Sequence, residues 1–339
     1  MKTQMLDAIN DYGNSVKQAS EILKSGGIVA TPTETVYGLA ASAYSDSAIK
    51  AVFTAKGRPQ DNPLIVHISS LDMLNDVACD IPDAAYKCAE KFWPGPFTMV
   101  LPKGDRIADS VSAGLQTVAV RYPNEKTICD IITTSGLPLA APSANTSGKP
   151  SPTTAAHVID DLDGKIDAVV IGDDCAVGVE STVVSLDGDK PRLLRPGAVT
   201  PEQLRTVLPD LVIDDAVLEK LKEGEKAASP GMKYKHYAPK TEAFLVEGCS
   251  NSFVKFVNQK SECAAVCFEE EYYHINVPKI SYGSKRNEST LAQNVFSVLR
   301  EVDALGVKEV YIHAPSKDGV GLAVYNRLIR ACGFKVVKV

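Results

Sequence analysis

Short apolar runs alternate with stretches of helical periodicity along almost the whole chain, and the alternation is interrupted once. Runs at 28–30, 64–68, 97–101, 117–121, 139–141, 168–171, 183–186 and 192–194 have the length and character of buried strands. Between them, residues 15–23 follow a helical period that stops at Gly26-Gly27. Residues 48–53 do the same, with Asp46 or Ser47 as N-cap and Gly57 as the stop. A helix capped near Thr153 or Thr154 follows the 139–141 run. Thr200-Pro201-Glu202-Gln203 is a capping box with proline at the first helical position. A charged, less periodic stretch at 218–228 and a segment holding Pro230, Gly231 and Pro239 then break the pattern. It resumes with strands at 243–246, 264–268, 309–312 and 334–339 and helices at 251–258, 289–305 and 320–331. Such alternation predicts two α/β units, the second a small open sheet with helices on both faces. With 339 residues, each unit can bury its own core.

Polar loops sit at several strand ends, where a rigid scaffold displays binding groups. Thr31-Pro32-Thr33-Glu34-Thr35-Val36-Tyr37-Gly38 follows one run. Ala141-Pro142-Ser143-Ala144-Asn145 and the residues to Ser151 leave another, and Gly178-Val179-Glu180-Ser181-Thr182 enters a third. Lys56-Gly57-Arg58-Pro59, with Asn62 and His67 downstream, adds two cations at a helix end. One such cation would fit a solvated partner of the helix dipole. Two cations beside three hydroxyl-rich loops fit a phosphate site better, because hydroxyls and backbone N–H groups cradle phosphate oxygens. No Walker-type Gly-Lys-Ser/Thr run is present.

Charge and cysteine usage narrow the field. The formal net charge of −6 argues against a general nucleic-acid binder, so any RNA contact would need a local patch. No apolar run approaches membrane-spanning length, and 1–12 lacks a signal-peptide core, which predicts a cytoplasmic protein without membrane contact. The eight cysteines form no Cys-x-x-Cys pair and have no zinc spacing; they read as reduced thiols, with Cys263 and Cys267 as small core residues. The five histidines form no Ser-His-Asp or Cys-His arrangement, and no metal-ligand set is expected.

The combination of Lys56-x-Arg58 with Ser143-x-Asn145, the Pro-Thr-Glu-Thr-x-Tyr-Gly-Leu run at 32–39, Glu180-Ser-Thr-Val-Val and Arg195-Pro196-Gly197 resembles the YrdC-like family. Ser229-Pro-Gly-Met-Lys-Tyr-Lys-His-Tyr-Ala-Pro239 resembles the linker of its long two-domain form, the L-threonylcarbamoyladenylate synthases. The resemblance spans nearly the whole chain. It implies a YrdC-like twisted open mixed sheet with flanking helices over 1–215, a linker or lid at 216–241, and a smaller Rossmann-like α/β open sheet over 242–339. It also implies a nucleotidyltransferase that makes threonylcarbamoyl-AMP and pyrophosphate from L-threonine, bicarbonate and ATP. Mg²⁺ would enter with ATP, and the product would pass to tRNA threonylcarbamoyl-transfer proteins, with at most a weak tRNA contact.

The family signature carries over residue by residue. Lys56 and Arg58 would be the catalytic cations. They would hold ATP together with Asn62, Thr117, Ser143, Asn145, Ser151, Arg195 and, in the linker, Tyr234. Thr35, His67, Arg121, Ser181 and the backbone at Ala141 would hold threonine, with Arg121 gripping the carboxylate. Plainer roles compete at several positions. Thr35 and Ser181 suit strand-end backbone capping, His67 a core histidine, Arg195 a surface ion pair; Glu34 and Glu180 read as residues that orient their loops. An RNA-binding YrdC-like module and a nucleotide-sensing regulator are the other functions such a chain could serve.

Overall fold

In the computed structural model, which describes residues 2–219 and 236–339, two separate sheets divide the chain. The first is built from β1 (Gln4–Asp7), β2 (Val29–Thr31), β3 (Gly38–Ser42), β4 (Ile65–His67), β5 (Phe97–Pro102), β6 (Thr117–Arg121), β7 (Leu139–Ala140), β8 (Ala168–Ile171), β9 (Thr182–Ser185), β10 (Arg192–Arg195) and β11 (Val212–Ile213). Its spatial order is β1-β8-β2-β3-β7-β4-β6-β5-β9-β10-β11. The pairings are mixed: β4 and β6 run parallel, and β5 and β6 antiparallel.

Among the described residues, eight α-helices accompany this sheet: α1 (Tyr12–Lys24), α2 (Asp46–Lys56), α3 (Leu74–Val77), α4 (Asp83–Phe92), α5 (Asp109–Ser112), α6 (Lys126–Ser135), α7 (Ala155–Leu162) and α8 (Pro201–Arg205). One face takes α2, α4 and α7, through Ile49, Val52, Phe53, Cys88 and Leu162 against Val66, Met99 and Val120. The other takes α1 and α6, through Leu23, Ile128 and Ile132 against Val29, Ala40 and Leu139.

Helix ends follow local chemistry. The hydroxyl of Ser45 accepts the Ala48 N–H, so Ser45 is the N-cap of α2, not Asp46 or Ser47. At the other end Gly57 adopts φ 60°, the left-handed cap. Thr154 caps α7, and the Thr200–Gln203 capping box is complete.

The second sheet holds β12 (Glu242–Glu247), β13 (Cys263–Cys267), β14 (Lys279–Ser281), β15 (Glu309–His313) and β16 (Val336–Lys338), all parallel, in the order β14-β13-β15-β12-β16. Its helices are α9 (Ser250–Asn258), α10 (Glu288–Glu301) and α11 (Gly319–Ala331); the expected 289–305 helix changes to a 3₁₀ turn at Val302–Leu305. Phe253 and Val257 of α9 pack on one face with Val246 and Tyr311. Helices α10 and α11 cover the other, with Leu245, Val310 and Ile312. That second core does not stop at the sheet: Val36 and Val179, from two motif loops of the first unit, and Tyr237 belong to it. All eight cysteines are free thiols.

Candidate active site

Strand register assembles the site. His67 lies opposite Arg121 in the β4–β6 pair, with Ile65 opposite Ala119. Thr98 of β5 lies opposite Arg121 from the other side. The two-residue period turns these side chains to one face. There Ile65, Val100, Ala119, Val183 and Leu194 form a small apolar floor drawn only from strands. The motif loops converge over it. Leu39 donates its N–H to Pro142 O (2.7 Å), Ala144 to Tyr37 O (2.8 Å) and Val177 to Glu34 O (2.8 Å). Within its own loop Thr33 Oγ1 accepts the N–H groups of Thr35 and Val36 and donates to Val36 O (2.7 Å), which folds the turn on itself.

The resulting cleft encloses a cavity of about 70 Å³. Of the expected site residues, Thr35, Arg58, His67, Arg121, Ala141, Ser143, Asn145, Ser181 and Arg195 border it. Thr33, Lys149, Glu180, His236 and Tyr237 are among its further lining residues. Lys56, Asn62, Thr117 and Ser151 are not part of this lining, and Tyr234 lies outside the described residues.

Lys56 is buried, not a dipole partner on a solvated corner. Its ammonium donates to the backbone carbonyls of Ser143 and Asn145, the latter at 2.7 Å, and so ties the end of α2 to the Ser143–Asn145 loop. Burial and the charge of Arg58 push Lys56 well below the ordinary lysine value, while Asp161 and Glu180 act the other way. Beyond the Gly57 turn, Arg58 borders the cleft and donates to Asn62 O (3.3 Å). Asn62 itself is buried and acts here through that carbonyl.

Arg121 is held on three sides. Its Nη1 donates to Thr35 Oγ1 (2.8 Å), its Nε to Gly95 O (3.2 Å), and Nη2 stands 2.6 Å from Glu34 Oε2. Glu34 also accepts the Asn124 N–H at 2.9 Å, so it fixes both its own loop and the arginine. His67 is buried, and its Nδ1 has no hydrogen-bond partner among the described residues. Burial and Arg121 push the imidazole down to about 3, so it is neutral at ordinary pH.

A second web surrounds Ser181. Arg195 donates from Nε to Ser181 O (3.0 Å) and from Nη2 to Ser181 Oγ (3.1 Å), and that hydroxyl lies 2.7 Å from Thr98 Oγ1. Arg195 is therefore buried structure, not a surface ion pair. Ser151 donates to Glu180 Oε1 (2.6 Å), and Arg327, from α11 of the second unit, donates to Glu180 Oε2 (2.7 Å). Burial would raise the Glu180 carboxyl, but Arg327 and Arg195 hold it at about 2.

The cleft thus presents guanidinium groups, an ammonium and several hydroxyls around a carboxylate already neutralised from behind. Such an arrangement suits a polyanion and a zwitterion side by side. Sequence reasoning did not find Arg327. The available signal was its setting: Asn326, Arg327 and Arg330 interrupt an otherwise apolar stretch at 320–331, and unpartnered charges are rare on a buried helix face.

The chain matches a family model described as telomere recombination (Sua5–YciO–YrdC) over residues 21–197. It matches a second, described as threonylcarbamoyl-AMP synthase, C-terminal domain, over residues 199–333. It is 43% identical to the threonylcarbamoyl-AMP synthase of Pyrococcus abyssi, with 96% of each chain covered. It is 40% identical to that of Bacillus subtilis, covering 98% of this chain and 97% of the relative. The crystal structure of P. abyssi Sua5 complexed with L-threonine superimposes with a TM-score of 0.90 at 38% identity, over 100% of both chains.

Proposed function

Because the chain belongs to the Sua5–YciO–YrdC family and carries the Sua5 C-terminal domain, we propose that it is an enzyme that makes threonylcarbamoyl-AMP. L-threonine, bicarbonate and ATP give the product, pyrophosphate and water. The observation that carries this reading is one cleft bordered by Arg121, Thr35 and Ser181 and also by Arg58, Ser143 and Asn145. The first set suits an amino acid and the second a triphosphate.

In this reading the threonine amine bonds to the carbon supplied by bicarbonate, and water is lost. An oxygen of the resulting carbamate attacks the α-phosphorus. The bond to the bridging oxygen breaks, and pyrophosphate leaves with the electron pair. The work is positioning and charge neutralisation, so fixed cations matter more than a titrating base. Arg58, Ser143 and Asn145 face the phosphates, with Lys56 fixing their loop from behind. Arg121 orients the threonine carboxylate, with Thr35 and Ser181 at its hydroxyl and neutral His67 beside it.

Among the described residues no group of three or more His, Cys, Asp and Glu side chains could hold a metal ion. Mg²⁺ would come with ATP, ligated by phosphates and water. The product is a reactive mixed anhydride, which suits prompt delivery to proteins that transfer the threonylcarbamoyl group to tRNA. No helix among the described residues is long and apolar enough to cross a membrane.

The test is pyrophosphate release from ATP with and without threonine and bicarbonate. Release that needs both is expected. Release that ignores both would sink the assignment, and tRNA retention without release would favour an RNA-binding module.

A further inference from the structure

Two arginines of the C-terminal unit reach into the loops that build the cleft. Arg327, fully buried on α11, donates from Nε to Glu180 Oε2 (2.7 Å), from Nη2 to Glu180 O (3.1 Å) and from Nη1 to Pro196 O (2.9 Å). Glu180 immediately precedes Ser181, just before β9, and Pro196 immediately follows Arg195, the last residue of β10. Arg300, on α10, donates from Nη2 to Pro150 O (2.6 Å) and to Asp161 Oδ2 (2.9 Å). The other oxygen of Asp161 takes Lys149 Nζ at 2.7 Å, and the Asp161 side chain is wholly buried.

These contacts converge on one short segment. Gly148 O accepts the Ala238 N–H (3.0 Å), Lys149 is tied to Asp161, Pro150 O to Arg300, and Ser151 through Glu180 to Arg327. Upstream, Asn145 Nδ2 donates to Lys149 O (2.9 Å), so the segment is coupled to the loop that Lys56 holds from the opposite side. A backbone approach makes room for the contact. Gly178 sits at φ 79°, and a Cβ there would come within 2.4 Å of Gln293 Cα on α10.

We propose that Arg327 and Arg300 are positioning residues through which the C-terminal unit sets the shape of the nucleotide loop. The proposal rests on the function proposed above. Simple cohesion between two units needs only apolar contact, which Val36, Val179 and Phe296 already supply. The arginine donors named here instead end on segments that carry or directly follow cleft residues, or on Asp161, which holds the cleft residue Lys149. Their reach differs. Arg300 touches only the 150–161 side, behind the nucleotide half of the cleft. Arg327 touches the segment bearing Ser181 and reaches Ser151 through Glu180, so it governs both halves.

The experiment compares wild type, Arg300→Gln, Arg327→Lys and, as a control on the same unit, Lys308→Ala, whose partner Glu262 is on the surface. ATP binding is measured by calorimetry, and kcat and KM for ATP and threonine by pyrophosphate release. Arg300→Gln is expected to raise the ATP Kd and KM about tenfold while the threonine KM stays put. Arg327→Lys, which keeps the charge but loses the fork, is expected to raise both KM values and lower kcat, and Lys308→Ala to match wild type. Wild-type constants in a folded Arg300→Gln protein would overturn the proposal, as would equal changes in both KM values. Should Arg327→Lys not fold, Arg300→Gln decides alone. A wild type that binds no ATP would instead sink the functional assignment, and calorimetry tells the two failures apart.

Discussion

Arg121 Nη2 and Glu34 Oε2 form a buried ion pair at 2.6 Å, so one of the arginines that border the cleft already carries a carboxylate from its own chain. Glu34 is oriented in turn by the Asn124 N–H. The pair therefore pre-sets the guanidinium that a substrate carboxylate would meet.

Arg121→Met should strand Glu34 as a buried, unpaired carboxylate and cost about 3–5 kcal/mol of stability. Adding Glu34→Gln should recover most of that loss while threonine binding stays weak. Denaturant unfolding of both singles and the double gives the coupling; equal destabilisation of Arg121→Met and the double would mean that the two residues are not energetically paired.

Lys56 and Arg58 should separate on mutation. Arg58→Ala should lower kcat about 10²–10³-fold, the cost of one preorganised donor to developing charge, with the melting temperature nearly unchanged. Lys56→Met leaves Asn145 O without its lysine donor and Ser143 O with only the Asn145 N–H and should cost about 1–3 kcal/mol of stability along with nucleotide affinity. Steady-state kinetics beside thermal melts would show the split, and identical behaviour of the two variants would contradict it.

His67 predicts a pH dependence of known sign. Its folded value is held at about 3 against the usual 6.5 by burial and by Arg121. Between those values the unfolded chain binds the extra proton, so stability falls as pH drops from about 6.5 towards 3 and is flat above. His236, held at about 4 mainly by burial, adds to the same slope. Glu180, held at about 2 by Arg327 and Arg195 against burial, adds a same-sign loss below its usual 4.5. Melting temperatures from pH 7.5 to 4 should fall less steeply for His67→Gln than for wild type; parallel curves would remove His67 from the account.

Amino-acid choice tests the threonine half of the cleft. Valine should be rejected strongly, because it leaves buried hydroxyls such as Ser181 Oγ without the substrate's partner. Serine lacks only a methyl group, so discrimination should be modest, about 10–200-fold. Ser181→Ala should narrow the threonine–valine gap more than the threonine–serine gap. Equal kcat/KM for threonine and valine in the wild type would refute the pocket described here.

Periodicity and caps made most of the architecture readable before any coordinates. The strand at 117–121, the Thr200–Gln203 box and the Gly57 stop all follow from local rules. The α2 N-cap was ambiguous because Ser45, Asp46 and Ser47 are all capping types; only geometry selects Ser45. Strand β3 escaped notice because Gly38–Ser42 is, apart from Leu39, a run of small residues buried at every position, with neither alternation nor β-branched content. Strand β1 is a short edge strand, mostly exposed, paired only with β8. At the cleft, motif residues could be named one by one, yet their division of labour could not. That Lys56 serves a backbone loop, and that Glu180 is neutralised by Arg327 from 147 positions away, depends on contacts that no local window contains.

Val36 and Val179 lie in the first half of the chain but bury their side chains in the second core. A cut anywhere in the connecting segment would therefore not yield two finished pieces. The N-terminal fragment would carry apolar loop tips and a Glu180 deprived of Arg327 at its most important surface, and the C-terminal fragment would have a hole in its packing. The seam along which this molecule could come apart is not the one drawn by its sequence, and heating should melt it as a single cooperative body.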